Sequence, residues 1–593
     1  MMSLWFGVSA TAVKLCLDAL GLDYSGLSGF RETADLSFDL LCFLPACVVA
    51  YAAVAKLPRV LRGPFLSLVL ILIWVVIITD ILTLKYFREN VFVIVPQLAK
   101  LGVLDAAVGN QFNYIPGWLL IGSIILVAGL FRPFSRIHSE QRSLIAPSFL
   151  VILGFFVVVG HDSLFQASLN ALVDHGIYYN DDDSGSVLPD KPLHNGQHST
   201  PIAASAPLLA PKTIIIFINE SLPWNFGSSG DVRIPLFNTL MAESGLPDSE
   251  WVVFPRAFTN SSATDISVPS ILTGADPTAG TDNVQAMPLV YAMAKMRGYQ
   301  TAFFTSQDYG WLNMRPFFSS KQLDVFLSGE MTGQPGANLL GIDDLYVADK
   351  ICALIRSVPR DRPLFLVLNN NALHVPYQTK AEIPVPDFGG DSKRKAAFIL
   401  EEDYRRIYRS LQETDRLKGS LIFVTSDHGE GHPLRKRVNA RLDSHYDEVI
   451  NIPYAVRLPS GIQGALRRSL ESNRDRLVEN MDIAPTLAQF FGLRLPGPLA
   501  YGGRSLFGAL GDDRVNVSVS NNEWKHYLPK AFGLACRNDR FVYSDRLGPQ
   551  YFDVSKDPDE ALPITNGKRF DFYLAYVQLH PPLPKYMTHA SDR

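Results

Sequence analysis

"TIIIFINES", residues 213–221, is a run of β-branched and aromatic side chains that follows Pro211 and stops at an acidic residue. A strand with one solvated face alternates apolar and polar residues, and this run does not, so it reads as a strand buried on both faces. Three more stretches share its style. "PLVYAMAKMRGYQTAFFTS" (288–306) gives a helix, a glycine stop and a strand, while "RPLFLVLNNN" (362–371) and "GSLIFVTSDHGE" (419–430) are apolar runs ending in polar residues. Strands alternating with helices predict an α/β domain, a mostly parallel sheet with helices on both faces. Ligands bind such sheets beyond the carboxyl ends of the strands. Glu220, His374 and the Asp427-His428 pair fall at or just past three such ends.

Upstream the composition changes sharply. Residues 38–55, 64–84, 112–131 and 144–160 are apolar runs long enough to cross a hydrocarbon core of about 30 Å. Residues 3–20 are a weaker first span, interrupted by Lys14 and Asp18, so 1–165 is expected to be a transmembrane domain of about five helices. The short basic loops 56–62 and 132–142 should face the cytoplasm, which puts 85–116 and everything after the last span outside. Asp80 falls in the third span, near its outer end, where a charge marks function or snorkels to the interface. Residues 178–212 abound in Asp, Ser, Gly and Pro without periodicity and read as linker. The expected division is therefore 1–165 membrane domain, 166–212 linker and 213–593 extracytoplasmic catalytic domain. A net charge of −4 gives no basis for a nucleic-acid partner. Cys352 and Cys536 are the only cysteines after residue 165, so at most one disulfide is possible there.

"FTNSSATDISVPSILTG" (258–274) crowds Ser262, Thr264 and Ser267 ahead of Pro269. Such hydroxyls cap helices, or one of them is a nucleophile held at a helix start. Glu220, Thr264, Asp427 and His428 together make a hard-to-borderline donor set, for which zinc is the best fit among common ions and manganese is an alternative. A metal that favours the Thr264 alkoxide removes the need for a separate general base.

"FINES", "SSATDISVPSILTG", "NALHVPY", "VTSDHGE", "NMDIAPTLAQFFGL" and "YGGRSL" occur in an order that resembles the sulfatase-like branch of the alkaline phosphatase superfamily. With its membrane head and Thr-x-x-Ser-Val-Pro pattern, the chain is similar to the bacterial phosphoethanolamine transferases, and the lipoteichoic acid synthases share that architecture. The resemblance covers residues 213–560. It implies an N-terminal helical membrane domain followed by an alkaline-phosphatase-like α/β domain. It implies Thr264 as nucleophile, Glu220, Thr264, Asp427 and His428 as metal ligands, and His374 and His445 as substrate-binding histidines, with His432 the alternative to His445. The implied reaction moves a phosphoethanolamine or phosphoglycerol head group from a phospholipid donor to an envelope glycan or lipid. The implied location is the bacterial inner membrane, with the catalytic domain on its periplasmic side.

The sequence departs from that pattern in two places. Ser270 follows Pro269 where those transferases have a cysteine, with no cysteine between residue 165 and the loop either, and Glu220 is followed by Ser221 rather than threonine. A hydrolase reading, phosphodiesterase, phosphatase or sulfatase, keeps the same site with water as acceptor. A sulfatase needs Cys/Ser-x-Pro-x-Arg, and "SVPSI" (267–271) has Ile271 at the arginine position. A non-catalytic membrane sensor is a third reading, opposed by the presence of every expected ligand type.

Overall fold

The computed structural model describes residues 198–208, 211–224, 250–310, 314–338, 340–374, 377, 379, 383–388, 392–430, 445–460, 462, 464–522, 531–544, 548–580 and 583–587. All of them lie in the compact unit Leu188–Arg593. The expected spans, Asp80, the 85–116 segment and His432 lie outside the described residues. No helix among the described residues is long and apolar enough to cross a membrane.

Seven strands form the central sheet: β1 (Thr213–Asn219), β2 (Trp251–Val253), β3 (Gln300–Thr305), β4 (Val325–Leu327), β5 (Leu364–Asn369), β6 (Ser420–Ser426) and β7 (Tyr454–Arg457). Their spatial order is β2-β7-β6-β1-β5-β3-β4. Every pairing from β6 to β4 is parallel, as the alternation of strands and helices predicted. β7 departs from this and runs antiparallel to both β6 and β2. The chain ahead of β7 lies beside the carboxyl end of β6, where the amide of Gly429 donates to the carbonyl of Val449, so β7 enters the sheet from that end.

β1 lies in the middle, paired from Thr213↔Ser420 to Asn219↔Ser426 on one side and with β5 on the other. Successive strand residues point to opposite faces, and the two hydrophobic cores follow that period. Ile214, Ile216 and Ile218 enter one core with Phe365, Val367, Leu421 and Phe423, whereas Ile215 and Phe217 enter the other with Leu366, Ile422 and Val424. The absence of alternation in "TIIIFIN" is thereby explained.

The first core is covered by α1 (Thr264–Thr273), α2 (Val290–Met296) and, farther along the chain, a helix at Ile483–Phe490. The second is covered by α3 (Asp344–Ser357) and α4 (Ser392–Glu413), through residues such as Ile351, Leu400 and Ile407. The helix at Ile483–Phe490 is α5.

A feature outside the sequence-based expectation is a second, antiparallel sheet on the α1 side: β8 (Asn516–Val519), β9 (Ala531–Cys536), β10 (Asp539–Ser544) and β11 (Gly548–Asp553), in that order. Its apolar face packs on α6 (Lys568–Leu579), with Phe541 and Phe570 ring centroids 5.8 Å apart. The end of the segment read as linker also carries structure. Ile202–Ala203 pairs antiparallel with Leu493–Arg494, and the His198 ring nitrogens lie 2.9 and 3.0 Å from the carbonyl oxygens of Met287 and Phe317. Cys352 and Cys536 are free thiols.

Candidate metal centre

Three elements bring the candidate residues together at the carboxyl edge of the sheet. Glu220 directly follows β1, Asp427 and His428 follow β6, and Thr264 opens α1. Because β1 and β6 are register-matched neighbours ending at Asn219↔Ser426, the next residue of each strand reaches the same point. Ser221 then turns the chain away at φ +54°, in the left-handed region.

The carboxylates of Glu220 and Asp427 and the imidazole of His428 each offer a donor atom within 4.8 Å of the others, and all three residues are fully buried. His428 Nε2 is 3.7 Å from Glu220 Oε1 and 3.4 Å from Asp427 Oδ2. Thr264 Oγ1 donates to Glu220 Oε2 at 3.1 Å and lies 3.2 Å from His428 Nε2. The Gly429 carbonyl is 2.7 Å from His428 Nδ1 and assigns the ring proton there, leaving the Nε2 lone pair toward the cluster.

Other groups hold these side chains from behind. Ser221 Oγ donates to Glu220 Oε1 at 2.7 Å, and the amides of Ser221 and His428 donate to Asp427 Oδ1 at 3.1 and 2.7 Å. Asp427 Oδ2 is buried with no hydrogen-bond partner. Burial, and then the Glu220 carboxylate beside it, push the Asp427 carboxyl well above the ordinary carboxylate range. A buried oxygen without a donor, next to a second carboxylate and an imidazole presenting its lone pair, is what a divalent cation would complete. The residues fit zinc or manganese, and Glu220, Asp427, His428 and Thr264 would hold it.

The hydroxyl question has a geometric answer. Ser267, one turn into α1, donates from Oγ to the Asp427 carbonyl oxygen at 2.8 Å and so braces the ligand loop. Thr259 Oγ1 also donates to that carbonyl, and Asn480 Nδ2 lies 3.1 Å from both hydroxyl oxygens. Thr264 alone of the three crowded hydroxyls touches both Glu220 and His428, at the positive end of the α1 dipole.

His374 and His445 fall outside that three-residue cluster. His374 sits on the turn after β5, where its amide donates to the Asn371 carbonyl at 3.0 Å. His445 is fully buried, with Nδ1 3.0 Å from Ser518 Oγ on β8, and burial pulls its imidazole down to about 3.

Sequence reading missed the amides around Glu220. Asn370 Oδ1 accepts from the Glu220 amide at 2.9 Å, and Gln307 Nε2 donates to Glu220 Oε2 at 2.8 Å. The triple asparagine closing β5 was a visible signal, whereas Gln307 carries no motif.

Residues 212–493 match the Sulfatase family model. An arylsulfatase of Clostridium perfringens is 24% identical over 200 residues, covering 31% of this chain and 39% of its own. An endo-4-O-sulfatase of Bacteroides thetaiotaomicron is 24% identical over 255 residues, covering 35% of this chain and 49% of its own. The chain thus spans less than half the length of either relative. The C-terminal periplasmic domain of EcEptC from Escherichia coli, solved in complex with Zn, aligns with a TM-score of 0.40 at 18% identity, over 56% of this chain and 96% of that one.

Proposed function

We propose that this chain, whose residues 212–493 match the Sulfatase family model, is a metal-dependent phosphotransferase of the sulfatase-like branch acting through Thr264. The observation that carries the reading is the contact of Thr264 Oγ1 with both Glu220 and His428, at 3.1 and 3.2 Å. A bound divalent ion favours the threonine alkoxide and offsets charge on a phosphoryl oxygen.

The chain's own residues then do the following. Thr264 Oγ attacks the phosphorus of a phosphodiester donor, the bond from phosphorus to the lipid alcohol breaks, and that alcohol takes up the proton Thr264 released. An acceptor hydroxyl attacks the phosphothreonine in turn, and its proton returns to Thr264. The positive end of α1 faces the phosphoryl group through both displacements. His374 and His445 are the proposed contacts to the transferred group. We place the donor in the outer leaflet of a bacterial inner membrane and the acceptor among envelope glycans or lipids.

The test is intact-mass measurement after incubation with vesicles of phosphatidylethanolamine or phosphatidylglycerol. A phosphoethanolamine or phosphoglycerol adduct on Thr264 supports the transferase and names the group. The sulfatases among the relatives favour a second reading, hydrolysis at the same centre. It predicts release of phosphate or sulfate from soluble esters at full rate, with water as the only acceptor and no acceptor-dependent product.

A further inference from the structure

We infer, on the metal-dependent reading above, that Gln307 is a positioning residue for the centre, holding the Glu220 carboxylate toward Asp427, Thr264 and His428. Gln307 lies two residues beyond β3 and is fully buried. Its Nε2 donates to Glu220 Oε2 at 2.8 Å and to the Asn370 main-chain oxygen at 3.0 Å. Two acceptors on one atom fix which end of the amide is nitrogen.

Asn370 in turn accepts the Glu220 amide on Oδ1. One amide therefore holds the main chain of Glu220, the other its carboxylate, and the two are tied to each other. Gln307 is itself fixed. Its amide donates to Thr305 Oγ1 at 3.0 Å, and its carbonyl accepts from Gly329 at 2.8 Å. Gly329 and Gly341 close over the preceding Ser306, where a Cβ would stand 2.6 Å and 2.4 Å from its carbonyl oxygen.

The chemistry explains why a neutral amide suits this place. Two buried carboxylates repel, so Glu220 would otherwise rotate away from Asp427. A lysine or arginine could restrain it, but would cancel the negative charge that draws a cation. A glutamine restrains without neutralising. Donors of this kind behind metal ligands are worth about 10–100-fold in metal affinity. Gln307 Oε1 takes no hydrogen bond, so what Gln307→Met removes is the Nε2 donor, with its bonds to Glu220 and to the Asn370 main-chain oxygen.

The test uses the full-length protein, Co2+ as a spectroscopic probe and Zn2+ by competition. Gln307→Met should weaken both ions about 10–100-fold and change the visible absorption of bound Co2+, a loss larger than the fall in the metal-free thermal midpoint accounts for. Gln307→Asn, polar but one methylene too short to reach Glu220, should do the same and serves if the methionine variant misfolds. Affinities and spectra equal to wild type would overturn the inference, as would losses that merely track a fall in the metal-free midpoint. If wild type itself binds neither ion, the metal reading falls and takes this inference with it; wild-type binding with unaffected variants sinks this inference alone.

Discussion

Thr264 Oγ1 and His428 Nε2, 164 residues apart in the chain, lie 3.2 Å from each other. That proximity separates Thr264, the proposed nucleophile, from its neighbouring hydroxyls. Thr264→Ala should lower turnover by about 10⁴-fold or more, as expected when a nucleophile is removed, and abolish any covalent adduct. Ser267→Ala loses one hydrogen bond to the Asp427 carbonyl, worth about 1 kcal/mol, and should keep the adduct. An active Thr264→Ala alongside a dead Ser267→Ala would refute the assignment.

Metal removal should be visible in stability. A ligand that binds only the folded state at 100 times its Kd adds about 2.7 kcal/mol. Zinc should therefore raise the thermal midpoint of the wild type. Asp427→Asn removes a carboxylate that stands against Glu220 in a buried site. It should unfold at an equal or higher temperature than metal-free wild type and gain little from zinc, as calorimetry with and without a chelator would read.

Gly429 has a steric reason to be glycine. A Cβ there would lie 2.1 Å from the Glu448 main-chain oxygen. Gly429→Ala should cost about 1–3 kcal/mol, the usual penalty of forced overpacking, and shift His428 through the carbonyl that orients its ring. An unchanged urea midpoint together with unchanged zinc affinity would refute this.

Asp344 links stability to pH. Burial pushes its carboxyl up to about 7, against the pull of the Ser306 hydroxyl and the amides of Asn371 and Ala372, which all donate to it. The folded state therefore holds this proton more tightly than the unfolded chain, whose aspartate titrates near about 3.9. The contribution is fully present below that value and is lost as pH rises through about 7. Asp344→Asn should flatten the stability profile across this window, and an unchanged slope in denaturation midpoints from pH 4 to 8 would count against it.

The sequence located Glu220, Asp427 and His428 at the strand ends because strand ends are local features: an apolar run stops and a polar residue follows. It left Thr264 and Ser267 unresolved by residue type alone, since both hydroxyls lie on one turn of α1 and only contact with β1 and β6 tells them apart. Gln307 and Asn480 were illegible for a related reason. An amide side chain has no chemistry until a partner arrives, and theirs come from strands or loops distant in sequence. The antiparallel sheet from β8 to β11 was missed because its strands are short, and β9 passes into β10 through a tight turn at Arg537 and Asn538 rather than through a helix.

The pairing of β1 with β6 also imposes an order in time. Glu220 and Thr264 leave the ribosome long before Asp427 and His428, and β1 must wait for β6 to become its neighbour on that side. Until then the early half holds one carboxylate and one hydroxyl, too few donors to retain an ion against competing ligands. On the metal-dependent reading, acquisition is thus a late event in the life of each molecule, set by the concentration of free ion where folding finishes. On that reading, a cell starved of the metal would accumulate folded, inert protein that a pulse of metal could rescue without new synthesis.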